Sequence, residues 1–320
     1  MKKILITGAS GFIGSFLIGE ALEKDWQIWA GIRKGSSKEY LQNHHIQFID
    51  LNFADKDKLK EQMATHVSQH GKWDYVIHNA GLTKCLNPAD FDRVNYLFSK
   101  HLIEALQETG NIPRKFVLMS SLSAHHPGAN TAYGKSKLKA EDFLKSQTGF
   151  PYIILCPTGV YGPREKDYFL MLKTIKAGLD VTAGLEPQKL SFIYVKDLIK
   201  AAYLALESPV RNQSYFVADG NVYSDAEYTA IAKKALGKKR VLKIRVPLQI
   251  LKTVSVVSEE IAKFTQKPST LNRDKYEIMK QRDWSCDIRP LEQDLHFQAD
   301  YDLERGMQEC VDWYRANHWL

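Results

Sequence analysis

Tyr133 and Lys137, four apart in Thr131-Ala132-Tyr133-Gly134-Lys135-Ser136-Lys137, are the pair of side chains best spaced for proton transfer. The stretch has helical character, so the two share one helix face. A phenol with a pKa of about 10 is a poor base at neutral pH, and a neighbouring ammonium favours its ionised form. Shortly before them, a strand-like run over residues 116–120 leads into Ser121-Leu122-Ser123. A hydroxyl at the carboxyl end of a strand points into the crevice where open α/β sheets bind ligands. Such a serine could donate a hydrogen bond to a substrate oxygen and stabilise charge developing there. The alternative for Ser120 and Ser123 is an N-cap or turn role.

A second constellation lies upstream. Gly8-Ala9-Ser10-Gly11-Phe12-Ile13-Gly14 is a G-x-x-G-x-x-G run directly after a strand and at the start of a helix. Glycines there permit a tight turn and let backbone approach a pyrophosphate, which the helix N-terminus stabilises. Gly8, Ser10, Gly11, Phe12, Ile13 and Gly14 are therefore candidate dinucleotide contacts. The end of the second strand chooses between NAD and NADP, because an acidic residue there repels a 2′-phosphate. The stretch Gly31-Ile32-Arg33-Lys34-Gly35-Ser36-Ser37 has no acid and offers Arg33, Lys34 and two hydroxyls. That set predicts NADP, with NAD as the alternative.

These side chains need a sheet to hold them. Residues 3–7 are a β-branched run and residues 12–24 carry helical apolar spacing, which opens a βαβ unit. Further strands are expected at 27–32, 47–49, 75–78, 116–120, 152–156 and 191–195, most of them separated by helical periodicity. The alternation predicts an α/β fold, a Rossmann-type doubly wound parallel sheet with a smaller, mainly helical C-terminal substrate domain. The nucleotide-binding domain is expected over 1–162, with 190–220 returning to it, and the substrate domain over most of 163–320. Helices are expected there at 226–236, 248–264 and 303–317.

With 320 residues, 44% hydrophobic and 25% charged, the chain has the composition of a globular protein rather than a disordered, fibrous or membrane one. The net charge of +7 suits anionic ligands, but the basic residues are spread out, with no zinc-finger spacing. No nucleic-acid partner is expected. Cys85, Cys156, Cys286 and Cys310 form no CxxC pair, so neither a metal site nor a disulfide framework is expected, and the predicted location is cytoplasmic. Thr7, Gly8, Ser10, Gly11 and Gly14 interrupt the first apolar stretch, which reads as strand, turn and helix rather than a leader. No window holds about 18 unbroken apolar residues, so no membrane span is expected.

The sequence at this point resembles the extended short-chain dehydrogenase/reductase family, which includes the NAD-dependent epimerases and dehydratases. Six segments match in order: TGASGFIG, Asp50-Leu51, HNAG at 78–81, MSS at 119–121, YGKSK at 133–137 and PTGVYGPR at 157–164. Phe192-Ile193-Tyr194-Val195-Lys196-Asp197 resembles the family's strand that returns to the sheet before a helix. The resemblance implies hydride transfer to or from a nicotinamide at a secondary alcohol carbon. It makes Tyr133 the general acid/base, has Lys137 lower its pKa and hold the nicotinamide ribose, and has Ser121, or Ser123 in its place, polarise the substrate oxygen. Asp50 and Leu51 would lie by the adenine, Asn79, Ala80 and Gly81 along the cofactor, and Asn95 on the helix behind the site. Pro157, Gly159 and Val160 would pass near the carboxamide. A homodimer is the implied assembly. The family's dehydratases place an Asp-Glu pair after the catalytic Thr, where this chain has Leu122-Ser123, so dehydration is not expected. Its sugar epimerases commonly carry Arg where Cys156 stands and Asn where Gly159 stands.

Residues 248–257 are unusually apolar for a helix that carries Glu259 and Glu260 further on. With Pro247, Pro268 and residues 306–314 they resemble the C-terminal region of the 3β-hydroxysteroid dehydrogenase and dihydroflavonol reductase branches. The expected small-molecule substrate is thus apolar, sterol- or flavonol-like, with one hydroxyl or ketone at the reacting carbon. The apolar stripe could instead be core or dimer surface. The runner-up reading is a nucleotide-sugar 4-epimerase that retains NAD and grips a diphosphate with Lys238, Lys239, Arg240, Lys243 and Arg245. A third is a non-catalytic dinucleotide-binding sensor, which would have no use for Tyr133, Lys137 and Ser121 together.

Overall fold

The computed structural model describes residues 1–128, 130–265, 269 and 271–320. By its internal contacts the chain divides into two compact units, residues 1–125, 132–156 and 199–215, and residues 126–131, 157–198 and 216–320. Pro268 lies outside the described residues.

The first unit is built on aliphatic runs short enough to be strands and too uniformly apolar for an exposed face. Ile4, Leu5, Ile6 and Thr7 are all at 0% exposure, which requires cover on both faces of the sheet. β1 (Lys3–Thr7), β2 (Gln27–Gly31), β3 (Ile46–Ile49), β4 (Tyr75–His78), β5 (Lys115–Met119), β6 (Tyr152–Pro157) and β11 (Gln213–Val217) form a seven-stranded parallel sheet. Its order is β11-β6-β5-β4-β1-β2-β3. The chain winds outward from β1 to β3, then crosses back to β4, so the direction of winding reverses between β1 and β4. A crevice for ligands opens at the carboxyl ends of strands at such a reversal. The helical segments are α1 (Phe12–Glu23), α2 (Lys56–His70), α3 (Ala89–Phe91), a π-helical turn (Asp92–Leu97), α4 (Phe98–Glu108), α5 (Ala132–Lys145) and α7 (Val195–Glu207). Tyr203 on α7 donates its hydroxyl hydrogen to the Leu17 carbonyl of α1 at 2.7 Å.

In the second unit, β7 (Gly159–Tyr161) pairs in parallel with β10 (Phe192–Tyr194), and β8 (Leu179–Ala183) with β13 (Leu242–Val246). β9 (Lys189–Leu190) lies between β12 (Tyr223–Ser224) and β14 (Asp283–Trp284). The helices are α6 (Lys166–Lys176), α8 (Asp225–Leu236), α9 (Leu248–Thr265), α10 (Arg273–Met279), α11 (Arg289–Leu295) and α12 (Leu303–Ala316). A capping box between Ser224 and Glu227 starts α8, and Gly237 in the left-handed conformation ends it. The core of this unit is aromatic, with Tyr161, Phe192, Tyr194, Tyr228 and Tyr314 buried together. A Cβ at position 306 would overlap the Tyr161 hydroxyl, so Gly306 is what lets α12 lie against that ring.

The strand at 192–194 does not rejoin the main sheet as expected. It pairs with β7, and β11 takes the edge place beside β6. A run of Phe-Ile-Tyr specifies a buried strand without specifying its neighbour. Among the described residues no helix is long and apolar enough to cross a membrane.

Candidate active site

The glycine turn starts the site. Gly8 adopts φ +65°, and a Cβ there would press against the backbone of Asn79 and Ala80. A Cβ at Gly14 would overlap the Gly8 carbonyl oxygen and the Ala9 backbone, so α1 can begin hard against β1 only with glycine there. Gly11 is the N-cap of α1 and provides no side-chain cap, which leaves the N–H groups of the first turn for a ligand. Ser10, Phe12 and Ile13 are half-buried around it and Gly11 is exposed. A pyrophosphate fits this turn.

β4 carries His78 to the same end of the sheet. Its Nδ1 is 2.8 Å from Thr7 Oγ1, and its Nε2 is 2.9 Å from Ser99 Oγ. Thr7 Oγ1 accepts from the Ala80 N–H at 3.1 Å, and Ser99 donates to the Asn95 carbonyl at 2.7 Å. These roles leave His78 to donate from Nε2 and accept at Nδ1. Burial, reinforced by the charge of Lys137, pushes its pKa down to about 3, so the ring is neutral. The result is a fixed path for Asn79, Ala80 and Gly81 beyond β4.

Asn95 comes from the π-helical turn and is buried. Its Oδ1 accepts from the Leu82 N–H at 2.7 Å, and its Nδ2 donates to the Leu82 carbonyl at 3.1 Å and to Ser136 Oγ at 3.0 Å. A Cβ at Gly81 would lie 2.9 Å from Asn95 Oδ1 and 3.1 Å from Lys137 Nζ, so these three groups converge.

Tyr133, Lys137 and Glu141 follow one another at four-residue intervals along one face of α5. Lys137 donates to the Met119 carbonyl at 2.9 Å, at the carboxyl end of β5. Burial pushes its pKa down to about 8, with Glu141 and Cys156 pulling the other way. Tyr133 is half-buried, its ring edge-on to Phe91 at 5.8 Å. Burial raises its pKa, partly offset by a hydrogen bond with the Ser121 side chain. Ser121 Oγ also accepts from the Ser123 N–H at 3.2 Å. Ser121, Tyr133 and Lys137 are thus brought together, whereas Ser123 enters by its backbone.

Behind them lies a cluster that sequence reasoning missed. Glu141 is fully buried and receives Ser120 Oγ, Lys145 Nζ at 3.2 Å and His125 Nε2 at 2.8 Å. Burial raises its pKa, but the bonds from His125 and Ser120 outweigh that and leave it below the usual carboxylate range. The Cys156 thiol is 3.6 Å from the same carboxylate, and burial with that charge holds it well above the ordinary thiol range. His125, Glu141 and Cys156 have metal-ligand chemistry and cluster closely, but the carboxylate is already satisfied by protein donors and the thiol stays protonated. A glutamate in mid-helix usually reads as solvent-exposed, so nothing in its type or spacing marked it.

The remaining candidates take no part in these bonds. Arg33 and Lys34 are exposed in the turn after β2, where Ser36 N–H bonds to the Arg33 carbonyl at 3.0 Å. After β3, Asp50 is exposed and Leu51 buried. Pro157 ends β6. Gly159 and Val160 lie in β7, paired with Phe192 and Ile193. The space a side chain would take at Gly159 is filled by the Tyr168 hydroxyl.

A parallel sheet with a winding reversal, a glycine turn at the helix beside it and a Ser-Tyr-Lys group at the strand ends define a dinucleotide-dependent enzyme. The chain belongs to the NAD dependent epimerase/dehydratase family, whose profile matches residues 4–218. It is 24% identical to a ceramide reductase of Caulobacter vibrioides over 99% of this chain and 96% of that protein. It is 25% identical to a 3-beta-hydroxysteroid dehydrogenase of Mycolicibacterium neoaurum over 75% of this chain and 71% of the relative. Its fold is similar to that of UDP-glucose 4-epimerase with UDP-glucose from Thermotoga maritima, with a TM-score of 0.78 at 20% identity over 98% and 99% of the two chains.

Proposed function

We propose that this chain is an NADP(H)-dependent reductase that converts a ketone of an apolar, lipid-like molecule into a secondary alcohol, and catalyses the reverse reaction when product is in excess. The observation that carries the reading is the hydrogen-bonded pair of Ser121 and Tyr133 one helical turn from a buried Lys137. A nicotinamide cofactor, when bound, would supply the hydride for the carbonyl carbon. Tyr133, kept protonated by burial, gives its phenolic proton to the carbonyl oxygen as that oxygen gains charge. Ser121 Oγ accepts from Ser123 N–H, and its own hydrogen, engaged by the Tyr133 oxygen in the free site, turns to the same carbonyl oxygen when substrate binds. Lys137, held by the Met119 carbonyl next to Gly81, stabilises the phenolate that results and would hold the ribose of a bound cofactor.

Arg33 and Lys34 support NADP over NAD, because the end of β2 offers two cations and no carboxylate to a 2′-phosphate. The apolar substrate is supported by the near full-length similarity to a ceramide reductase, with the steroid dehydrogenase pointing the same way. Tyr168 filling the space beside Gly159 disfavours the sugar-epimerase alternative, whose members commonly carry a side chain there.

The test begins with freshly purified protein, denatured to identify any released nucleotide, followed by NADPH and NADH titrations of the remainder. Expected is an empty protein that binds NADPH at least tenfold more tightly and oxidises it with long-chain lipid ketones. Stoichiometric NAD that survives gel filtration, together with interconversion of nucleotide-sugar 4-epimers, would overturn the reading.

A further inference from the structure

Helix α9 is built inside out. Among the described side chains of the helix, Leu251, Ser255 and Ala262 are the buried ones, and the Ser255 hydroxyl is satisfied by the Lys252 carbonyl at 2.7 Å. Ile250, Val254, Val257, Ile261 and Phe264 recur at four- and three-residue intervals, so they form one stripe, and they are 48–91% exposed. Helices of globular proteins normally bury the larger apolar face and expose the smaller, polar one. β13, which enters α9 through Pro247, repeats the pattern. Its exposed Leu242 and Ile244 are in register with exposed Leu179 and Val181 of β8, while Asp180 and Thr182 of β8 are buried. Exposed apolar surface of this extent marks a docking surface rather than chance.

Charge identifies what it docks on. Residues 228–258 contain eight Lys and Arg and no Asp or Glu, and the two acids that follow on α9, Glu259 and Glu260, pair with Arg273 at 3.8 and 3.9 Å. Lys243 and Arg245 pair with Asp225 and Lys234 with Glu304, but Lys238, Lys239 and Arg240 are exposed and join no ion pair among the described residues. A second copy of this chain on the stripe would bring like charges together at a symmetric contact. An anionic bilayer complements them. An apolar stripe accompanied by basic residues, on a helix that does not meet the requirements of a membrane span, is the pattern of a helix lying in the plane of a lipid interface.

We infer that α9 lies along the surface of an anionic bilayer, its stripe among the acyl chains and Lys238–Arg240 among the lipid headgroups. Only its purpose, access to a lipid substrate, rests on the reductase reading. The docking does not.

Flotation of the full chain with vesicles measures this without catalysis. Expected is a partition into phosphatidylglycerol/phosphatidylcholine vesicles at least tenfold above that into pure phosphatidylcholine, weakened by salt. Val257→Asp with Ile261→Asp should lower that partition at least tenfold, and Lys238→Gln, Lys239→Gln, Arg240→Gln together should remove the preference for anionic lipid. NADPH binding and the melting temperature of each variant report folding, and the exposed Phe264→Ser replaces any variant that fails to fold. Wild-type protein that stays with the unbound fraction on anionic vesicles overturns the inference. So does a stripe variant that turns a dimer into a monomer while vesicle binding is unchanged, which would make the stripe a contact between copies. A protein without NADPH oxidation that still floats would sink the reductase reading and leave the docking intact.

Discussion

Burial acts on Tyr133 and Lys137 in opposite directions, holding the proton on the phenol and loosening the one on the ammonium. Reduction of a ketone needs the first group to be an acid and the second to be charged, and both hold at neutral pH. Replacing Tyr133 with Phe removes the proton donor and keeps the ring against Phe91. The expected result is a loss of roughly a thousandfold in kcat for reduction, within the usual range for general acid catalysis. NADPH affinity and melting temperature should hardly change, and a loss of less than about tenfold would assign the proton to another group. The pH dependence follows from Lys137, whose folded pKa of about 8 lies below its ordinary value. Its charge is complete well below that pH and is lost as pH rises through it. The rate of reduction should therefore decline above about pH 8, by roughly tenfold per unit, while Tyr133 stays protonated. Lys137→Met should give a lower profile without that step, and a wild-type rate level to about pH 10 would remove Lys137 from the mechanism.

At the scale of elements, α5 and the π-helical turn before α4 hold the reacting face together. The wider turn presents Asn95 to Leu82 on one side and Ser136 on the other, which ties the loop after β4 to α5. Helical irregularities of this kind recur at functional sites because regular winding would point the side chain elsewhere. Asn95→Ala would leave the half-buried Leu82 N–H without its partner, at about 1–3 kcal/mol for the unsatisfied group, and would untie Ser136, which keeps only its bond to the Tyr133 carbonyl. Thermal unfolding should show a clear loss of stability, and kcat should drop more than KM, because Gly81 and Lys137 would lose their common neighbour. Equal stability of the variant would mean that water replaces the amide and that the turn is not held by this side chain. Glu141 supports the opposite end of α5 through His125, Ser120 and Lys145, so the helix that carries Tyr133 and Lys137 is fixed at both ends.

For the whole molecule, the strands and the glycine turn were legible because their signals are local: a β-branched run, a glycine at φ +65°, a helix with no room for a Cβ at Gly14. What was not legible depends on tertiary partners. Phe192–Tyr194 reads as a strand but carries no mark of its neighbour, and Asn95 and Glu141 acquire their roles only through distant donors. Most instructive is α9, where periodicity announced an apolar face without saying which way it turns. That orientation gives the last prediction, which separates chemistry from delivery. If the stripe brings the enzyme to a bilayer, turnover of a long-chain ketone presented in vesicles should rise several-fold as the anionic lipid fraction increases. Turnover of a small, freely dissolved ketone should be indifferent to the same vesicles. Val257→Asp with Ile261→Asp should abolish the first effect and spare the second, because neither side chain belongs to the Ser121, Tyr133 and Lys137 group. Equal losses with both ketones would place α9 in the catalytic machinery instead, and no loss with either would detach membrane docking from substrate supply.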